Sequence, residues 1–103
     1  MERQFIITMH VPLGSRHGTM HFTEDRSKIH GVMEVLGNKD SFTGKLTKSG
    51  NIEITGKMTS LLHSFSYRAK GTIKNSKMNL SVVGDRYSFC ITGEETNIQE
   101  DQI

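Results

Sequence analysis

Tryptophan is absent from this chain, proline and cysteine occur once each, and aromatics are few, five Phe and two Tyr. With Cys90 as the single thiol, no intrachain disulfide can form. One proline beside ten glycines and a modest apolar share of 34% fits a small sheet protein with polar outer faces better than a helical bundle. No apolar run approaches the roughly twenty residues that a membrane-spanning helix needs, so no membrane partner is expected. The opening Met1-Glu2-Arg3-Gln4 lacks the charged start, apolar stretch and small-residue cleavage site of a secretion leader. Together with the lone thiol, this predicts a reducing cytoplasm. Basic residues are missing from the last part of the chain. All 13 Lys and Arg precede residue 87, whereas Glu94, Glu95, Glu100 and Asp101 make residues 94–103 purely acidic. Setting those four against the 11 acids leaves a body of +6 and a tail of −4. Two readings of that asymmetry stand: a solvated exterior with a polar end, or a tail that folds back on its own basic surface.

What the chain does have is alternation. Apolar residues recur with period two and helical spacing is missing, which predicts strands throughout. Phe5, Ile7, Met9 and Val11 form the first inward set, and Met78, Leu80 and Val82 the seventh. Read as strands, residues 18–23, 28–35, 41–47, 51–58, 65–73 and 86–93 each add a glycine to the apolar face: Gly18, Gly31, Gly44, Gly56, Gly71 and Gly93. Glycine weakens a strand interior unless the backbone must bend or another segment must come close. Six inward glycines predict a sheet coiled tightly enough to close on itself. The links are short and polar: Leu13-Gly14, Glu24 to Ser27, Gly37 to Asp40, Ser49-Gly50, Lys74 to Ser76 and Gly84-Asp85. Only 60–64 is apolar. Eight strands joined by such hairpins read as an all-β, antiparallel up-and-down barrel, one domain over 1–93 followed by an acidic tail, 94–103. The halves resemble each other at an offset of 49: Met9 with Met58, Leu13 with Leu62, Ser27-Lys28 with Ser76-Lys77, and Phe42-Thr43-Gly44 with Ile91-Thr92-Gly93. That pattern predicts two copied four-strand halves.

Alternate links gather at opposite ends of such a barrel. Around the even-numbered links the inward residues, Phe5, Phe22, Ile29, Leu46, Ile52, Ile73, Met78 and Ile91, are uniformly apolar and read as a plug. At the other end Leu13, Leu36, Leu61 and Leu62 lie in the links, with Arg16 and His63 beside them. Inward there are Met9, Met20, Met33, Phe42, Met58, Phe65, Tyr67, Tyr87 and Phe89. Met adapts its shape and Tyr adds a hydroxyl to an apolar body, a lining suited to a small apolar or aromatic ligand in a barrel mouth. The candidate site is therefore Leu13, Arg16, Leu36, Phe42, Met58, Leu62, His63, Phe65, Tyr67, Tyr87 and Phe89. The alternative is a filled core whose leucine collar self-associates, as in a homodimer. A third reading is a small isomerase or cyclase using Tyr67 or Tyr87 as general acid.

Other chemistry fares worse. A two-residue turn at Leu13-Gly14 would pair His10 with His17, and a four-residue link over Glu24–Ser27 would pair His21 with His30. All four histidines face outward. Two such neighbours lack the further ligands of a structural zinc site, so no metal and no cofactor are expected. Gly44-Lys45 and Gly56-Lys57 lack the Gly-rich approach and following Ser or Thr of a phosphate loop. Cys90 faces outward, with no histidine expected beside it. The aromatics face inward and provide no stacking platform, so no nucleic-acid partner is expected.

Residues 2–93 resemble the calycin barrels (lipocalins, fatty-acid-binding proteins and avidins) in the eight-strand meander and in glycine-bearing strands such as Phe42-Thr43-Gly44-Lys45 and Ile54-Thr55-Gly56-Lys57. They are also similar to small uncharacterised bacterial all-β proteins with Pro-Leu-Gly turns and Gly-Thr strands, here Pro12-Leu13-Gly14 and Gly18-Thr19. The resemblance implies a barrel that holds a small ligand without catalysis. It departs in lacking the early Gly-x-Trp of lipocalins, the tryptophans of avidins and a helical lid.

Overall fold

Alternation of apolar and polar residues needs a partner strand on each side, and the chain supplies one for every strand. The computed structural model describes residues 1–12, 14–35, 37–59 and 64–97. Eight strands follow in order: β1 (Glu2–Val11), β2 (Gly14–Asp25), β3 (Lys28–Val35), β4 (Asn38–Leu46), β5 (Asn51–Thr59), β6 (Ser64–Lys74), β7 (Lys77–Gly84) and β8 (Ser88–Thr96). Each pairs antiparallel with the next, and β8 returns to β1, closing an up-and-down barrel. Closure leaves no edge strand to template aggregation. The expected architecture is the observed one.

The inward set forms one core. Its buried members include Phe5, Ile7, Met20, Phe22, Phe42, Ile54, Met58 and Ile91. Phe22 is the hub at the plugged end: it stacks on Phe5 with ring centroids 6.0 Å apart and meets Phe42 edge-on at 6.4 Å. The glycines share the inward phase, as the alternation predicts. Gly71 shows why one is needed. A Cβ there would stand 2.7 Å from the Asn79 carbonyl carbon and 2.9 Å from Leu80 Cα, with the Asn79 oxygen nearer still. The β6 and β7 backbones coil together too closely for any side chain.

The strand bounds repeat at the offset seen in the sequence. Adding 49 carries β3, 28–35, onto β7, 77–84, and β2, 14–25, onto β6, 64–74, within one residue. The turns repeat too. Arg26 and Ser27 have φ of 55° and 72°, and Asn75 and Ser76 have 52° and 67°. Both central residues of each turn are left-handed, the two-residue hairpin form whose twist matches that of the strands.

This turn chemistry corrects three expectations. Asp25 pairs with Lys28 and Lys74 with Lys77, so the links are two residues long, not four and three. The slip sets His21 opposite Val32 and His30 opposite Thr23, and the His21–His30 pair does not form. In β1–β2, Gly14 (φ 121°) opens the strand opposite Val11 and is not part of the turn. His10 then faces Ser15 and His17 faces Thr8, so the His10–His17 pair is lost as well.

The β1–β8 seam is clamped by charge. Arg3 donates from Nε and Nη2 to the two carboxylate oxygens of Glu95, both at 2.8 Å, and its guanidinium lies 5.5 Å from the Phe5 ring centroid. Forked pairs of this kind are the stronger ion pairs. The hydrogen bonds from Arg3 hold the Glu95 carboxyl below its ordinary pKa. Residues 94–96 belong to β8, so the strand runs three residues past the boundary expected at 93.

Candidate functional site

Among the described residues the two ends of the cylinder differ. At the even-link end, Arg3 and Glu95 lie in the inward phase and cover Phe5, which is wholly buried. Nearby, the Glu24 N–H donates to the Met1 carbonyl at 2.8 Å, and the N-terminal ammonium donates to the Glu24 carbonyl at 3.1 Å. That end has an apolar plug under a salt-bridged lid.

The described members of the expected site fall at the odd-link end. Leu13, Leu36, Leu61, Leu62 and His63 lie outside the described residues. Among the described ones, Phe42, Met58 and Tyr67 are buried in the core, and Phe65 and Phe89 pack on it half-buried. Arg16 shares their end but is exposed, its Nη1 donating to the Ser15 carbonyl at 3.2 Å. Tyr87 departs from expectation. It is 49% exposed and outside β8, because the Gly84 N–H donates to the Tyr87 carbonyl at 2.7 Å and that turn ends before alternation begins at Ser88. Its ring still leans on Phe65, with centroids 5.7 Å apart.

Asp40 is the residue that sequence reasoning missed. Its place in a Gly-Asn-Lys-Asp stretch reads as a turn, yet β4 begins at Asn38 and sets Asp40 in phase with Phe42. Extending that alternation back two residues would have found it. The β4–β5 ladder stops at Phe42 and Gly56. Beyond it the Asp40 carboxylate replaces the ladder, accepting from the Thr59 N–H and the Thr59 hydroxyl, each at 2.9 Å, while Asn38 Nδ2 donates to the Thr59 carbonyl at 3.2 Å. Hydrogen bonds to a charged group contribute about 1.5–3 kcal/mol each, partly offset by solvent access. We therefore expect Asp40→Ala to lower stability by about 2 kcal/mol in urea melts. A loss within error of zero would show the clasp to be idle.

Tyr67 lies between Gly56 and Gly84 in register. Its hydroxyl oxygen reaches across Gly56, 3.2 Å from where a Cβ would stand. Burial first, and the Asp40 carboxylate second, push the phenol pKa well above its ordinary value. The phenol is thus a neutral hydrogen-bond donor. A proton held that firmly is far from the near-neutral pKa that suits a general acid or base. Among the described residues nothing hydrogen-bonds this hydroxyl, and it is not a sealed orphan, so it keeps access to a partner.

On the outer wall the register sets His10 opposite Cys90, so a histidine does stand beside the thiol, contrary to expectation. Its Nε2 is engaged with the Thr92 hydroxyl at 2.9 Å. His17 Nδ1 meets the Thr8 hydroxyl at 3.2 Å and His21 Nε2 meets Glu2 at 3.1 Å. Among the described residues no three His, Cys, Asp or Glu converge on a metal-sized site. No helix in the described chain is long and apolar enough to cross a membrane.

With this geometry in hand, the fold can be compared with solved structures. It is similar to a redesigned β-barrel, mFAP1, whose structure was determined bound to DFHBI. The TM-score is 0.67 at 11% identity, covering 91% of this chain and 92% of that one. At that identity the likeness speaks for the fold alone. No protein-family model and no curated protein matches the sequence.

Proposed function

We propose that this is a non-enzymatic, calycin-like barrel that binds a small apolar or aromatic molecule at its odd-link end. The observation carrying this reading is a difference between the ends among the described residues: Arg3 and Glu95 cover Phe5 at one, while half-buried Phe65 and Phe89 lie at the other, where no described group hydrogen-bonds the Tyr67 hydroxyl. Small-molecule sites favour this combination of apolar walls with a single orienting polar group. The likeness to a barrel solved with DFHBI adds support from architecture, which is an analogy. Leu13, Leu36, Leu62 and His63 would complete the collar. A cytoplasmic location fits the single free thiol, Cys90.

Thermal-shift titration tests this, using DFHBI itself and a panel of apolar and aromatic metabolites. A ligand present at a hundred times its Kd adds about 2.7 kcal/mol, a rise of several degrees in a domain of this size. Tyr67→Phe, which removes only the hydroxyl, should weaken ligands bearing an acceptor and spare pure hydrocarbons. If no compound shifts the midpoint, while the midpoint itself climbs with protein concentration, the barrel is a self-associating module.

A further inference from the structure

We propose that the outer wall over β4–β7 is a second binding site, one that takes a small polyphosphorylated anion. Neighbouring inward glycines let this wall bend: Gly56 and Gly84 flank Tyr67 in one row, and the β4–β5 ladder ends at Gly56. The molecule is flattened, with extents of 34 × 34 × 20 Å. The outer surface here is an open hollow of about 1100 Å³.

Cations and hydroxyls predominate in its lining. Lys39, Lys57, Arg68 and Lys70 line it, with the hydroxyls of Thr55, Ser66 and Ser81 among them. The register sets Arg68 opposite Thr55 and Lys70 opposite Ser81. A second hollow of about 860 Å³ shares Thr55, Arg68 and Lys70 and adds Lys28 and Lys45. None of these six cations is ion-paired among the described residues, where the salt bridges are Arg3–Glu95 and His21–Glu2. Four acids border the two hollows. Asp40 is turned to Thr59, Glu53 stands opposite Lys45 and Lys70 without bridging to either, and Asp25 and Asp85 lie beside the connecting turns.

The choice of ligand follows from what the hollow can recognise. Unpaired cations interleaved with hydroxyl donors select an anion, and the planar fork of Arg68 matches phosphate oxygens in pairs. In the first hollow Val83 is the one exposed large apolar side chain and the one aromatic, Tyr67, is buried; the second adds buried Ile29 and Ile54 and a single exposed imidazole, His30. There is no platform for stacking bases and no apolar pocket for peptide side chains. The second hollow falls within the volume range of small-molecule sites and the first just above it. The hollow shares Tyr67 with the mouth, but none of the six cations that carry this proposal belongs to the mouth.

Calorimetric titration of the full chain with sodium tripolyphosphate at 150 mM salt tests the proposal. Saturable one-to-one binding is expected, weakened about tenfold by Arg68→Gln and by Lys70→Gln. Lys77→Gln, an exposed cation outside both hollows, should leave it unchanged. Absence of saturable binding overturns the assignment. So does an equal loss in Lys77→Gln, which would mean attraction by net charge. A single-stranded oligonucleotide that binds more tightly than tripolyphosphate and is released by Arg68→Gln would also overturn it, as the wall would then read a nucleic-acid backbone.

Discussion

Gly71→Ala should destabilise the barrel by about 3 kcal/mol or more, a large share of the 5–15 kcal/mol that holds a domain together. The added methyl would run into backbone: the Asn79 carbonyl and Leu80 Cα, neither of which can turn aside as a side chain would. Relief requires β6 and β7 to part, with loss of ladder bonds on both sides of the row. Gly84→Ala is the control. Its nearest heavy atom is Phe65 Cδ2 at 3.1 Å, on a half-buried ring that can shift, so the cost should be under about 1 kcal/mol. Urea melts of the two variants decide the matter. Equal midpoints would mean that the β6–β7 approach is looser than described.

Phe22→Ala comes next, with an expected loss of about 4 kcal/mol. Phe22 is the ring shared by the Phe5 stack and the Phe42 edge contact, so truncation removes both at once. The space cannot be refilled from across the ladder. Its register partner is Gly31, where a Cβ would lie 2.6 Å from Phe22 Cα. Adding Gly31→Ala should therefore worsen the single variant. A double variant more stable than Phe22→Ala alone would contradict this, and calorimetric midpoints of the pair would reveal it.

The barrel was legible because period-two alternation and inward glycines are backbone-level signals that need no knowledge of partners. Register was not, because it depends on turn type. Arg26, Ser27 and Ser76 carry no sequence mark for left-handed geometry, yet they adopt it, and that moved His21 and His30 apart. Asp40 and Tyr87 failed for mirror-image reasons: one looked like a turn and lies in a strand, the other looked like strand and lies in a turn. Arg3–Glu95 joins residues 92 apart, and its partners meet only because the cylinder closes. Of the aromatic set expected at the mouth, Phe42, Phe65, Tyr67 and Phe89 are inward as the alternation predicts, and Tyr87 is not. The hydroxyl's isolation was not legible, since it depends on where every neighbouring donor and acceptor ends up.

The repeat by 49 makes the link over 47–50 the counterpart of the gap between the last strand and the first, since Gln4 and Thr96 are ladder partners. A polypeptide entering at that link, running through β5–β8 and continuing by a short bridge into β1–β4, would trace an unchanged circuit. Where synthesis starts is thus arbitrary with respect to shape. Neither set of four strands can satisfy its own borders, so each must find the other for the circuit to close.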